Sequence, residues 1–305
     1  MHPAEQAADG IREIILDASG TPISALLAEP PHPPRAVVLA VHGGGMRAGY
    51  FHGRSTEDQS LLSLGAKLGF TVLAVDRPGY GRSADHLPHG LSLADQTDTL
   101  ADALHEFART RPVGAGIFVL AHSYGGKLAL STAARRPDLD LLGLEISGCA
   151  EQFAPGVRQF LEDPDRRPWW LHWGPPHLYP PGTFEQAREM VALAPLREVE
   201  EATEWPETFA RLAPAVAVPV HFTFAEHEKW WRHDEVALRS IADRLSAAPR
   251  VEVHRHPGAG HNISLGQTAR SYHLKALSVA EQCIAERELA HLGKPRPEPL
   301  VTSAE

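Results

Sequence analysis

The sequence predicts an α/β fold: a mostly parallel sheet flanked by helices, with a helical segment inserted after one of the core strands. Three observations carry that expectation. Uninterrupted apolar runs recur at Ala36 to Val41, Thr71 to Val75, Ile117 to Ala121, Leu141 to Ile146 and Val216 to Phe224. A run without polar alternation is the pattern of a strand buried on both faces, and such strands belong to parallel sheets. Amphipathic helical patterns fill most of the gaps, and strands alternating with helices require crossovers that cover both sheet faces. Between about Glu151 and Pro214 the alternation stops, which marks an insertion.

In chain order, the first elements are a strand around Ile11 to Leu16, a turn at Ser19-Gly20 and a second strand at Ile23 to Ala28. The Pro-rich link Pro30-Pro31-His32-Pro33-Pro34 separates this hairpin from the first apolar run. Leu93, Thr97, Leu100, Leu104 and Phe107 follow the three-and-four spacing of one helix face. Ser92 precedes them with Asp95 three residues on, as in a capping box. Leu238, Ile241, Ala242 and Leu245 mark a second amphipathic helix, and 268–288 a long last one. A more alternating strand lies at Arg250 to His256.

The insertion carries many prolines and the tryptophans Trp169, Trp170, Trp173 and Trp205, with helical patterns at Phe184 to Leu193 and Arg197 to Ala210. The chain therefore divides into a first core part (1–150), a helical lid or cap (151–214), a second core part (215–292) and a flexible tail (293–305). Two uses of the insertion stay open. It is a cap packed by its own aromatics, or a lid whose aromatics line a substrate pocket at the strand carboxyl ends.

With 305 residues the chain accommodates one large α/β domain or two small ones, and 43% hydrophobic residues suffice for a sizeable core. A net charge of −9 and the lack of any basic run argue against nucleic acid or an anionic membrane surface as partner. The two cysteines, Cys149 and Cys283, are too few for a disulfide framework and lack zinc-ligand spacing. The start, Met1 to Gln6, has neither the cationic nor the apolar region of a secretory signal. No stretch approaches the ~20 apolar residues of a membrane span. The expectation is a soluble, cytoplasmic protein acting on a small molecule, with the oligomeric state left open.

The chemistry is concentrated at the ends of the apolar runs. Ile117-Phe118-Val119-Leu120 leads into Ala121-His122-Ser123-Tyr124-Gly125-Gly126 and then a helical stretch. A serine hydroxyl needs exposure, positioning and a base before it attacks, and a tight strand-to-helix turn with small neighbours supplies the first two. The segment resembles the G-x-S-x-G nucleophile elbow of the α/β-hydrolases, with Ala121 in place of the first glycine. After the strand ending at Val41 comes His42-Gly43-Gly44-Gly45-Met46, which resembles that family's H-G-G-G segment. The resemblance makes the backbone N–H groups of Gly44 and Gly45, together with that of Tyr124, the candidate oxyanion hole. A phosphate loop is the other use of a Gly-rich turn, but the Lys-Ser/Thr that completes one is missing.

Asp76-Arg77-Pro78-Gly79-Tyr80-Gly81-Arg82-Ser83 resembles the family's D-x-x-G-x-G-x-S turn, whose residues shape the turn and the pocket wall. Pro257-Gly258-Ala259-Gly260-His261-Asn262 matches the loop that holds the family's catalytic histidine. Position alone separates His261 from the other histidines among 18, and its rivals His254 and His256 lie on the preceding strand. For the acid, Val218-Pro219-Val220 leads to Ala225-Glu226-His227-Glu228, with Glu228 where the family has its aspartate. Glu226, Asp234 and the strand end around Glu145 to Ser147 remain alternatives. His227-Glu228 is no zinc motif, since Trp231 stands where the second histidine is required and His233 is on the wrong face. No metal and no cofactor are expected.

The resemblance implies a two-step acyl transfer from an ester or thioester, with Ser123 as nucleophile, His261 as base and Glu228 as acid. A serine at this position speaks against dehalogenase or epoxide hydrolase action. Thioesterases, amidases, carbon–carbon hydrolases, perhydrolases and acyltransferases share the machinery, and a non-hydrolytic ligand-binding or lyase protein is a second class. Met46, Trp169, Trp170, Trp173 and Trp230 are the candidate substrate-binding residues, pointing to a bulky hydrophobic or aromatic substrate. Arg166, Arg167 and Arg188 are candidates for a carboxylate, or ordinary surface residues.

Overall fold

The computed structural model describes residues 10–162 and 169–292. Eight strands form one sheet: β1 (Arg12–Ala18), β2 (Thr21–Ala28), β3 (Val37–Val41), β4 (Thr71–Val75), β5 (Ile117–His122), β6 (Leu141–Ser147), β7 (Val220–Ala225) and β8 (Val251–His256). Their spatial order is β1-β2-β4-β3-β5-β6-β7-β8. The β1–β2 hairpin is antiparallel, β2 adds antiparallel to β4, and every later pairing is parallel. The hairpin turns on Ser19 and Gly20, both at positive φ (50° and 92°), the combination that a right-twisted two-residue hairpin demands.

The apolar runs become strands buried along their whole length, as β3, β4, β5, β6 and β7 all are. Successive residues pack into opposite layers. Val37, Leu39 and Val41 join one core with α2 (Leu93–Thr110), α3 (Tyr124–Arg135) and α9 (Glu235–Arg244). Ala36, Val38 and Ala40 join the other with α1 (Leu61–Lys67) and α10 (Ala269–Leu292). Ser92 caps α2 through its Oγ, which accepts the N–H of Asp95.

Some element bounds differ from the expectation, and one helix was not expected. The run from Val216 enters the sheet only at Val220, because Pro219 has no N–H for the ladder and 213–215 form a 3-10 turn. The last helix continues past 288 to Leu292. The short α1, capped by Ser60 Oγ on the N–H of Ser63, had no visible signal.

Between β6 and β7 the described residues form no strand. They comprise α4 (Arg158–Glu162), α5 (Trp169–His172), α6 (Thr183–Met190), α7 (Leu196–Glu200) and α8 (Trp205–Leu212). The expected helix from Arg197 to Ala210 is two helices, since Pro206 occupies the first turn of α8 and forces a new start. Trp205 is buried in the core against α3, its indole N–H donating to the carbonyl of Ala150 at 2.7 Å. The tail from Gly293, and Arg166 and Arg167, lie outside the described residues.

Candidate active site

β5 runs into Ser123, the residue before α3, with φ 53° and ψ −117°. This is costly backbone for a residue with a Cβ, and it persists only where the surroundings over-determine it. Here the Ser123 N–H donates to the carbonyl of Ser147 at the end of β6 (2.8 Å), and its own carbonyl accepts from Gly126 (2.9 Å). A Cβ on Gly125 would stand 2.2 Å from the carbonyl oxygen of Val41, so the sharp turn against β3 admits only glycine there. Ala121 is fully buried between Val41 and Ile146, and the turn closes with its methyl group in place.

Ser123 Oγ is 3.1 Å from His261 Nε2, and His261 Nδ1 is 2.8 Å from Glu228 Oε2. The carboxylate accepts from Nδ1–H, which leaves Nε2 as the acceptor facing the serine hydroxyl. Glu228 Oε1 accepts the N–H groups of Lys229 (2.9 Å) and Trp230 (2.8 Å), so one oxygen fixes the carboxylate and the other the imidazole. Burial by itself would raise the Glu228 carboxyl, but the neighbouring imidazole and the Trp230 N–H outweigh it and hold it below its ordinary value.

The alternative acids are occupied elsewhere. Glu226 accepts the N–H of Gly258 at 2.8 Å and steadies the loop before His261. Asp234 caps α9 through the N–H of Ala237. Glu145 is ion-paired with His221 on the neighbouring strand. His254 belongs to β8, and His256 at its end lies within reach of the Thr268 carbonyl.

The loop 42–45 lies beside Ser123, and a Cβ on Gly44 would be 3.9 Å from that of Tyr124. Gly45 corrects the expectation: its N–H donates to the Tyr80 hydroxyl at 3.0 Å and so is engaged within the protein. Gly44 and Tyr124 remain as the pair of donor candidates.

The turn after β4 reaches this loop from below. The Arg77 N–H donates to His42 Nε2 (3.0 Å), its Nε to the His42 carbonyl (2.9 Å) and its Nη2 to the Gly43 carbonyl (3.3 Å). The fully buried guanidinium also pairs with Glu198 of α7 through both oxygens and donates to Gln96 Oε1 at 2.8 Å. Tyr80 Oη donates to Glu198 Oε2 at 2.9 Å. Burial, with the adjacent Arg77 charge, keeps His42 neutral by pushing its pKa well below the ordinary value.

Ser123 opens on a cavity of about 330 Å³. Met46, Trp173 and Trp230 line it; Trp169 and Trp170 do not. Those two are 53% and 46% exposed, and Trp170 meets Phe160 edge-on beside a separate groove. Arg188 is exposed and lines a different depression. Phe153, Trp231, Val191 and Leu193 complete the apolar wall. Lys127, one turn into α3, enters the same wall with its Nζ 5.2 to 5.7 Å from the rings of Tyr124, Phe153, Trp205 and Trp231. Its position four residues after Ser123 was the available signal, since that spacing returns a helical side chain to the same face. Glu198 had no comparable signal, as nothing in the pattern of 151–214 ties it to Arg77. Among the described residues no group of three or more His, Cys, Asp or Glu is placed to hold a metal ion, and no helix is long and apolar enough to cross a membrane.

Residues 37–270 match the sequence profile of the alpha/beta hydrolase family. Esterase Rv0045c of Mycobacterium tuberculosis (strain ATCC 25618 / H37Rv) is 39% identical over 117 residues, which is 38% of this chain and 34% of that protein. The match thus spans about a third of the relative's length. A thermostable carboxyl esterase from Bacillus coagulans superposes with a TM-score of 0.65 at 16% identity, covering 90% of this chain and 99% of its own. A thermophilic esterase from Thermogutta terrifontis superposes with a TM-score of 0.58 at 20% identity, covering 90% and 99%. At such identities the likeness is one of fold.

Proposed function

The chain belongs to the alpha/beta hydrolase family, and from that premise we propose that it is a serine hydrolase of carboxylic esters or thioesters, acting through an acyl-enzyme. The single observation that carries this reading is the hydrogen-bonded line Ser123–His261–Glu228, with steps of 3.1 and 2.8 Å and with Ser123 and His261 lining one cavity. His261 Nε2 takes the hydroxyl proton as Ser123 Oγ attacks the carbonyl carbon, and Glu228 stabilises the imidazolium. The N–H groups of Gly44 and Tyr124 receive the oxyanion. Collapse of the tetrahedral species expels the alcohol or thiol, which His261 protonates. Water, deprotonated by the same histidine, then releases the acid and restores Ser123.

The substrate is bulky and hydrophobic or aromatic. Supporting this is a cavity of about 330 Å³ walled by Met46, Phe153, Trp173, Trp230 and Trp231, within the size range of small-ligand sites. Residues 151–214 act as its cap, since 191–194 together with Glu198, Val199 and Ala202 supply one side of the wall.

A fluorophosphonate probe combined with p-nitrophenyl esters of increasing acyl length tests both statements. The expected result is labelling abolished by Ser123→Ala, and a kcat/KM that rises from acetyl to longer or aryl acyl groups. Undiminished labelling of Ser123→Ala would refute the nucleophile, and a preference for acetate would refute the bulky substrate.

A further inference from the structure

The turn after β4 and one short helix of the segment between β6 and β7 meet at the back of the oxyanion loop. Every side-chain bond of Arg77 goes to that loop, to Glu198 or to Gln96. The carbonyls of His42 and Gly43 are both held, so the two peptide units on either side of Gly43 are fixed from behind. The Tyr80 hydroxyl then accepts from Gly45 N–H and donates to Glu198, spending both roles at once. The Arg77 guanidinium lies 4.7 Å from the Tyr80 ring centroid and 4.4 Å from that of Tyr124. One cation therefore packs against both the loop 42–45, through its carbonyls, and the side chain of Tyr124, the residue after Ser123. Glu198 comes within 4.0 Å of a Cβ built on Gly44.

We infer that Arg77, Tyr80 and Glu198 are positioning residues that set the geometry of the oxyanion hole, with Glu198 supplied by the segment 151–214. This rests on the serine-hydrolase reading and extends it: the core alone does not complete the site. Gly45 is turned toward Tyr80, and the peptide of Gly44 is thereby held next to Tyr124. The arrangement is also what the electrostatics require. A lone carboxylate at Glu198 would oppose a developing oxyanion, and the two-point pairing with Arg77 cancels that charge. A buried ion pair is by itself weak evidence for a contribution to stability, whereas here each partner is connected to the reacting backbone.

Tyr80→Phe tests this, because it removes one oxygen and keeps the ring. Deleting an oxyanion donor outright costs about 10²–10³ in rate, so losing its alignment is expected to lower kcat about tenfold to a hundredfold. KM stays within about threefold, as substrate binding does not draw on the hole, and inhibition by phenylboronic acid, whose tetrahedral adduct occupies it, weakens by the same factor as kcat. Glu198→Gln, which keeps the shape and removes the charge, is expected to lower kcat and boronate affinity by the same factor and serves if Tyr80→Phe does not fold; KM is read only on Tyr80→Phe, since Glu198 also borders the cavity. A variant with a lowered melting temperature but unchanged kcat and boronate affinity would overturn the inference. An inactive wild type whose Ser123 resists fluorophosphonate would sink the hydrolase reading itself.

Discussion

At the scale of single residues, the site depends on how each oxygen of Glu228 is used. A glutamate is one methylene longer than the aspartate usual in this family, and that extra reach is absorbed by the N–H groups of Lys229 and Trp230, which pin Oε1 and leave Oε2 on the imidazole. Replacing the carboxylate by the isosteric amide presents a donor or a weak acceptor to Nδ1 and favours the wrong tautomer. Glu228→Gln is accordingly expected to fold normally and to lose about 10³–10⁴ in kcat on a p-nitrophenyl ester, by the scale of the equivalent change in serine proteases. Retention of more than a tenth of the wild-type rate would move the acid elsewhere. Ser123 and His261 could be singled out because each stands at a strand end with a characteristic neighbourhood, and the fold brings them within 3.1 Å of each other. The acid was less legible: Glu226, Glu228 and Asp234 lie within nine positions, and spacing does not reveal which side chain is spent on Gly258, which on the helix cap and which on the histidine. Gly45 shows the same limit, since a run of three glycines does not say which N–H is turned to Tyr80.

At the scale of elements, the β5–α3 turn is the most constrained piece of backbone. Its tolerance of Ala121 and its intolerance at Gly125 have one cause, the distance to β3. A methyl at Gly125 would meet the Val41 carbonyl at 2.2 Å, backbone that cannot yield without breaking the β3–β5 pairing. Gly125→Ala is expected to cost more than the about 1–3 kcal/mol typical of overpacking, read as a lower denaturation midpoint in urea. A midpoint equal to that of wild type would show that the turn has slack. The strands were legible because burial on both faces leaves uninterrupted apolar runs. The helices of 151–214 were legible only in part: α6 lies where Phe184 to Leu193 was expected, but α4 and α5 gave no signal and α7 and α8 were read as one helix, because they are short and Pro206 starts α8 anew. Periodicity needs more residues than a five-residue helix such as α7 contains. Trp169 and Trp170 misled for a related reason: an aromatic-rich segment gives composition, and only the path of the chain decides which rings face the cavity.

At the scale of the whole molecule, the parallel sheet gathers residues far apart in the chain at the carboxyl ends of its strands. Ser123 and His261 are separated by 138 positions and Arg77 and Glu198 by 121. The same close packing traps histidines in their neutral form. His42 and His122 lie well below their ordinary pKa, in each case first through burial, then through the charge of Arg77 for His42 and the nearness of the His261 ring for His122. Burial lowers His273 to about 3. Since the unfolded chain protonates each of them near pH 6.5 while the folded state does not, the unfolded state binds more protons below that value. Stability is therefore fully present above about pH 7.5 and falls on acidification through the pKa of the unfolded histidines. Urea unfolding at pH 7.5, 6.5, 5.5 and 4.5 would read this as a midpoint that is flat at first and then declines; a midpoint that rises toward pH 5.5 would contradict it. The loss is assigned to the histidines because Glu228, held below the ordinary carboxyl value, keeps its charge through the same interval. Its own contribution disappears only at lower pH, so the decline between pH 6.5 and 5 reports the histidines, to which His254 and His256, also lowered through burial, add their share.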